Sequence, residues 1–184
     1  MLTASVITSA VIGLHQPDEP EQTHPGSIVN AIAPEVMDTA VLADDVSEPV
    51  QVPVNPSEGI ELLTAEGPMT LGLPESDEQQ HVVVAEDGLV GYVNGDGSST
   101  VPLPRAGGAL QVLTVIETPD APLSYEYELT LPEGTKPILD EGGGVFVERA
   151  DGAPIAYMPA PWATDAAGQM CRPITRSGEL CSFR

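Results

Sequence analysis

From Gly67 onward, short apolar runs alternate with clusters of Gly, Pro, Asn and Asp. The runs fall at 69–73, 81–85, 89–93, 100–103, 110–116, 125–131, 144–148 and 155–158, most of them four to seven residues long. Such spacing, with turn residues in the gaps, predicts hairpins assembled into an all-β sandwich or barrel. Tyr125-Glu126-Tyr127-Glu128-Leu129-Thr130-Leu131 alternates, which places Tyr125, Tyr127, Leu129 and Leu131 on one face. Asn94-Gly95-Asp96-Gly97 and Ala150-Asp151-Gly152 supply the positive-φ residues that tight hairpin turns need. The predicted fold class is therefore all-β, a sandwich-like hairpin domain over 67–169.

The same stretch contains a repeat. Thr70-Leu71-Gly72-Leu73-Pro74-Glu75-Ser76 aligns with Glu128-Leu129-Thr130-Leu131-Pro132-Glu133-Gly134 at an offset of 58. Gly95-Asp96-Gly97 aligns with Ala150-Asp151-Gly152 at 55, and Val101-Pro102-Leu103-Pro104 with Met158-Pro159-Ala160-Pro161 at 57. Any one match is within reach of chance, but three in the same order point to an internal duplication. Each unit would be a strand ending in Leu-Pro-Glu, a hairpin with a Gly turn, and a closing Pro-x-Pro.

The first 66 residues read differently. Residues 1–14 carry no charge and are too few to span a bilayer as a helix. Their length matches the apolar region of a signal peptide, although the basic segment that should precede it is missing. The preferred reading is a signal-peptide remnant; the alternative is a short buried element of the domain. Residues 15–66 hold 11 acidic side chains, no basic ones and 7 prolines. High net charge with few large apolar groups predicts a mostly disordered, acidic, Pro-rich linker, within which the weakly apolar stretches Ile28–Val36 and Val50–Val54 could pair as edge strands.

Composition narrows the function classes. The chain of 184 residues has 28 acidic and 6 basic side chains, a net charge of −22. The first 104 residues contain no Lys or Arg at all. Phosphate contacts need a basic surface, so direct nucleic-acid binding is excluded, and anionic bilayer surfaces are repelled. The partner is unknown; electrostatics favours a cationic or cell-envelope one. Gly 18 and Pro 19 also exclude a long-helix protein.

Recognisable catalytic patterns do not occur. There is no Gly-x-Ser-x-Gly elbow, no His-Glu-x-x-His and no phosphate loop with Lys. His15 and His24 fall in the expected linker and read as exposed bystanders, while His81 reads as a surface or boundary residue. Asn94-x-Asp96-Gly97 looks like the start of a calcium loop, but the twelfth position is Arg105 rather than Glu. No cofactor and no specific metal site are expected. Cys171 and Cys181, ten apart, either close a small disulfide loop or stay free.

Pro161-Trp162-Ala163-Thr164-Asp165-Ala166-Ala167-Gly168 follows the Ala150-Asp151-Gly152 turn. Together with Tyr125-x-Tyr127-x-Leu129-x-Leu131-Pro132-Glu133-Gly134, this motif resembles a group of uncharacterised secreted β-rich proteins of actinobacteria. The resemblance covers about residues 69–169. It implies a β fold and export to the cell surface, envelope or medium, and no known activity. Pro161, Trp162 and Asp165 become the candidate interaction or packing motif, with Trp162 as a packing anchor in an aromatic-poor core. After Gln169 the resemblance stops, while three of the six basic residues and both cysteines fall within 15 positions. A frameshift or truncation there accounts for all of these changes, leaving 170–184 as an irregular end. The functional expectation is an exported, non-enzymatic structural or interaction module; the alternative is an exported hydrolase built on a carboxylate cluster.

Overall fold

The computed structural model describes residues 4–12, 24–37, 50–74, 81–85, 87–165, 170–171, 174–176 and 179–182. Strand β1 (Ala4–Ile12) precedes two short helices, α1 (Pro25–Ile32) and α2 (Pro34–Met37). Strands β2 (Val50–Gln51), β3 (Ile60–Thr64) and β4 (Gly67–Leu71) follow. A meander then runs through β5 (His81–Val84), β6 (Val90–Val93), β7 (Ser98–Arg105) and β8 (Ala109–Ile116). After β9 (Leu129–Thr130) a second meander runs through β10 (Thr135–Leu139), β11 (Val145–Arg149) and β12 (Pro154–Met158), continued by β13 (Trp162–Thr164) and β14 (Met170–Cys171). A separate hairpin is formed by β15 (Ile174–Arg176) and β16 (Glu179–Ser182).

The fold is all-β, as the alternation and turn spacing predict. A ten-stranded sheet has the order β10-β11-β12-β1-β8-β7-β6-β5, with β13 also beside β1 and β14 beside β13. A four-stranded sheet, β2-β3-β4-β9, is antiparallel throughout. In the large sheet only β1 lies parallel to its neighbours, β8 on one edge and β12 and β13 on the other.

Strand β8 explains how the layers stack. Its residues from Leu110 to Val115 are buried without interruption, so both of its faces are covered. Leu110 and Val112 join a core with Ile60, Leu62, Met69 and Leu71 of the small sheet and Val147, Ile155 and Ala156 of the second meander. Leu113 and Val115 join the opposite core with Val29, Ala33 and Val36 of the helices and Val101 and Leu103 of β7. The large sheet is thus the middle layer between a small sheet and a helical cover.

The expected disordered linker over 15–66 requires correction. Residues 24–37 and 50–66 belong to the packed body, and the boundary drawn at 66 falls inside the β3–β4 hairpin, where Thr64 pairs with Gly67. Three of the described prolines do not oppose order because they sit where a missing N–H costs nothing. Pro25 starts α1, Pro34 starts α2 and Pro56 starts a 3-10 turn. Acidic side chains fall between buried apolar ones, as Glu61 does between Ile60 and Leu62. Residues 15–23 and 38–49 lie outside the described residues. Residues 4–12, expected as a signal remnant, form β1.

Two further differences have local causes. Strand β10 contains Lys136 and Pro137 and has no apolar run; it is tolerated because β10 is the edge of the large sheet. The 125–131 run is strand only at β9, yet its alternation holds: Tyr125 and Tyr127 are buried and Glu126 and Glu128 exposed. The side chains of Cys171 and Cys181, and with them the disulfide expectation, lie outside the described residues.

The two repeated stretches form meanders with the same internal strand order. The meanders β5-β6-β7 and β10-β11-β12 occupy opposite flanks of the large sheet, each pairing in sequence order. The strands that precede the two Leu-Pro-Glu segments, β4 and β9, pair with one another, Leu71 opposite Leu129. Limited proteolysis should leave a resistant core that retains residues 50–66; a stable fragment beginning at Gly67 would contradict the β3–β4 pairing. Leu113→Ala should cost about 2–5 kcal/mol in denaturant unfolding, whereas Leu123→Ala, at a side chain 71% exposed, should stay within about 0.5 kcal/mol.

Candidate functional site

Trp162 opens β13, with its backbone beside Ser9 of β1. Its ring packs, partly buried, against the helix-side core, while Ala163 beside it is 1% exposed. Pro161 and Asp165 are half-buried on either side. The motif is thus arranged along one strand, and its aromatic member packs against the core.

Polar groups converge instead at the β6–β7 turn. Asn94 is buried and donates from Nδ2 to Ser98 Oγ at 3.0 Å and Thr100 Oγ1 at 3.2 Å. Ser98 Oγ donates to Asp96 Oδ1 at 2.7 Å, which also accepts from the Ser98 backbone N–H at 2.8 Å. Across the strand pair, Thr114 stands opposite Thr100 and its hydroxyl bonds the phenol of Tyr127. Ser99 donates to Glu117. A serine bonded to a carboxylate has the raw elements of a nucleophile, but Ser98 is 1% exposed, so no substrate atom can reach its Oγ. This cluster holds a turn and seats Tyr127 on the sheet. The calcium-loop likeness at Asn94 and Asp96 falls on the same turn, where Asp96 Oδ1 accepts from Ser98 and the buried Asp96 Oδ2 has no hydrogen-bond partner among the described residues.

Two phenols are perturbed here. Tyr92, fully buried, donates to the carbonyl of Pro53 at 2.5 Å. Burial, and secondarily the charge of Glu58, holds its ionisation well above the ordinary range. Burial pushes Tyr125 up to about 12, with a hydrogen bond to Ser98 opposing the rise and the Asp96 charge adding to it.

Aspartate serves one purpose at the β5–β6, β6–β7, β10–β11 and β11–β12 turns. Asp87 Oδ1 accepts from the N–H of Leu89 at 3.0 Å, Asp96 from Ser98, and Asp151 from Ala153 at 3.0 Å. Asp140 Oδ1 accepts from Gly142 at 2.7 Å and Gly144 at 2.8 Å, while Oδ2 accepts from Tyr157 at 2.9 Å. Each is an Asx-type staple, followed by a glycine at φ between 82° and 86°. The Gly144 N–H and then the Tyr157 hydroxyl hold the Asp140 carboxyl below its usual range. A two-carboxylate hydrolase needs its acids to face each other across a cleft. These four are instead tied to the backbone of four different turns.

His24 differs from its expected bystander role. Its Nδ1 accepts from the Gly26 N–H at 3.0 Å and so caps α1, while Nε2 lies 3.2 Å and 3.1 Å from the carbonyls of Val83 and Leu89. The ring therefore ties the helix to the β5–β6 hairpin. Gly91 and Gly26 make room for this approach: a Cβ on Gly91 would lie 3.3 Å from the ring, and one on Gly26 2.6 Å from Leu89. His81 is exposed at the start of β5. Arg105 Nη2 donates to the Val36 carbonyl at 2.6 Å and also reaches Gln111, securing α2 on the sheet. Sequence reasoning missed His24 and Arg105 because both act on backbone carbonyls distant in sequence; Pro25 and Gly26 after His24 were the one local sign of a helix start.

Among the described residues no three His, Cys, Asp or Glu side chains are grouped to hold a metal ion, and no helix is long and apolar enough to cross a membrane. No family model, no curated protein and no solved structure matches the chain.

Asn94→Ala removes the donor shared by two buried hydroxyls and should destabilise the fold by about 1–3 kcal/mol, read from denaturant midpoints. The raised phenols set an alkaline limit. Their unfolded counterparts ionise near pH 10, so their contribution is complete below about pH 10 and is lost as pH rises toward the folded values. Phenolate absorbance from Tyr92 and Tyr125 should appear only together with unfolding. Titration of all four tyrosines near pH 10 with the fold intact would contradict this burial.

Proposed function

We propose that this protein is an exported, non-enzymatic interaction module whose acidic surface engages a cationic or cell-envelope partner. The observation that carries the reading is the use of its chemistry-bearing side chains. Each of the four turn aspartates commits its Oδ1 to a backbone N–H of its own turn, and Asn94, Ser98 and His24 bond the protein's own hydroxyls, carboxylate and backbone. The carboxylates that remain exposed, among them Glu58, Asp120, Glu126, Glu128, Glu133 and Glu141, lie in the segments that connect the strands. Glu126 and Glu128 stand at alternate positions, facing outward along the segment that leads into the edge strand β9. A surface with a net charge of −22 attracts basic partners over about a Debye length, roughly 10 Å at 0.1 M salt. Export rests on the Pro161-Trp162-Ala163-x-Asp165 resemblance.

Titration calorimetry with oligolysine and oligoglutamate tests the charge reading. Binding of oligolysine at about 0.05 M salt, lost at about 0.5 M, is expected from screening; no oligolysine binding at low salt would defeat it. Fractionation of the source cells, with N-terminal sequencing of the recovered protein, tests export. Recovery solely from the cytoplasm would refute that part of the proposal.

A further inference from the structure

The centre of the large sheet is built unlike the rest of it. Every other described ladder is antiparallel, whereas β1 is inserted in parallel between β8 and β12–β13. It pairs with β8 over seven positions, Val6 opposite Leu110 through Ile12 opposite Ile116. On its other edge it pairs Ala4 and Ser5 with Ala156 and Tyr157, then Ser9 to Val11 with Trp162 to Thr164.

The repeat explains what this position is. In the first unit the return strand β8 covers the edge of β7 that β6 leaves free. In the second unit β14 returns after β13, but β1 already holds one edge of β12–β13. The β14 pairing, Ala163 with Cys171 and Thr164 with Met170, therefore lies on the edge shared with β11. Thus β1 occupies, in the second unit, the edge that β8 occupies in the first. It is a strand supplied from a remote part of the sequence, joined to α1 through residues 13–23. Without it, β8 and β12–β13 would face each other with unpaired N–H and C=O groups at the middle of the sheet.

We propose that the seam between β8 and β12–β13 is a strand-acceptor site, and that it takes residues 4–12 of a second copy of this chain in place of its own, giving a strand-exchanged pair. The occupant is fixed by what the structure shows in the seam: a nine-residue uncharged strand that every copy carries. Exchange conserves all of the pairings, so it alters only which copy supplies them. Mutual repulsion of chains at −22 opposes the pair and salt relieves it. The inference is independent of the cationic-partner reading.

Ile12 and Ile116 are directly opposed, so Ile12→Cys with Ile116→Cys, in a Cys171→Ser and Cys181→Ser background, reports who fills the seam. Under oxidation, dilute protein should close the bond within one chain. Concentrated protein in high salt should give a covalent dimer, its fraction rising by about tenfold or more as concentration rises a thousandfold. Exclusively intramolecular bonds at every concentration would overturn the exchange, and absence of either bond would overturn the seam itself. A second measurement uses the unaltered chain: isotopically heavy and light copies, mixed, concentrated and examined by native mass spectrometry. Mixed dimers are expected, and monomers alone at all concentrations and salts would overturn the proposal. Failure of oligolysine to bind leaves both of these outcomes readable.

Discussion

Strand β8 must satisfy two hydrophobic cores at once, and the architecture follows from that demand. Leu110 and Val112 point toward the small sheet, Leu113 and Val115 toward the helices, and none of the four retains measurable exposure. A strand buried on both faces needs both of its edges paired as well, since water cannot reach its backbone groups. The β7 hairpin supplies one edge and β1 the other. The short helices gain their stability from this same surface: α1 has eight residues, too few to persist alone, and it lies on β7 and β8 through Val29.

The four aspartate staples give the duplication a physical basis beyond sequence likeness. Asp87 and Asp140 close the first hairpin of each meander, and Asp96 and Asp151 close the second. A side-chain oxygen that accepts the N–H two residues on fixes the turn locally, and the glycine that follows takes the positive φ. Each hairpin's register is then set before any long-range contact forms. The two units diverge where packing, rather than turn chemistry, decides. Beyond Thr100, where β6 stops pairing, β7 carries Pro102 and Pro104 without losing a ladder bond to it. The corresponding Pro159-Ala160-Pro161 instead lies between β12 and β13, where the register against β1 shifts by one residue.

Much of the fold was legible because its signals are local. Runs at 81–85, 89–93, 110–116, 144–148 and 155–158 became strands β5, β6, β8, β11 and β12, each bounded by Gly, Asp or Pro. The linker reading failed because charge and proline content average over positions whose individual placement matters. Ile60 and Leu62 are core residues despite Glu58, Glu61 and Glu66 around them. Strand β10 was hidden by Pro137, whose tolerance depends on its edge position, a tertiary fact. The candidate motif was legible in part: Trp162 packs as an anchor, while the Asn94–Ser98–Thr100 cluster depends on Thr114 and Tyr127 arriving from elsewhere. The roles of His24 and Arg105 depend on backbone carbonyls 59 to 69 residues distant.

Charge and fold are partitioned in this chain in a way that opposes self-association through its acidic surface. With 28 acidic side chains, two copies repel at any exposed face. Basic side chains are few, and among the described residues Arg105 and Arg149 are used within the fold. Arg105 anchors α2, and Arg149 bridges Glu66 of the β3–β4 turn at 3.0 Å and Asp151 at 3.4 Å. Such half-exposed pairs contribute at most about 1 kcal/mol, so they orient the small sheet rather than hold it. Glu126, Glu128 and Glu133 set negative charge around the β9 edge, and like charges discourage pairing between two such edges. The uncharged nine-residue β1 adds no charge of its own to this repulsion. It is the one described strand whose neighbours are both remote in sequence and both parallel. The proposed strand exchange at the centre of the sheet would therefore work against the repulsion of the two acidic surfaces while adding none at the strand itself.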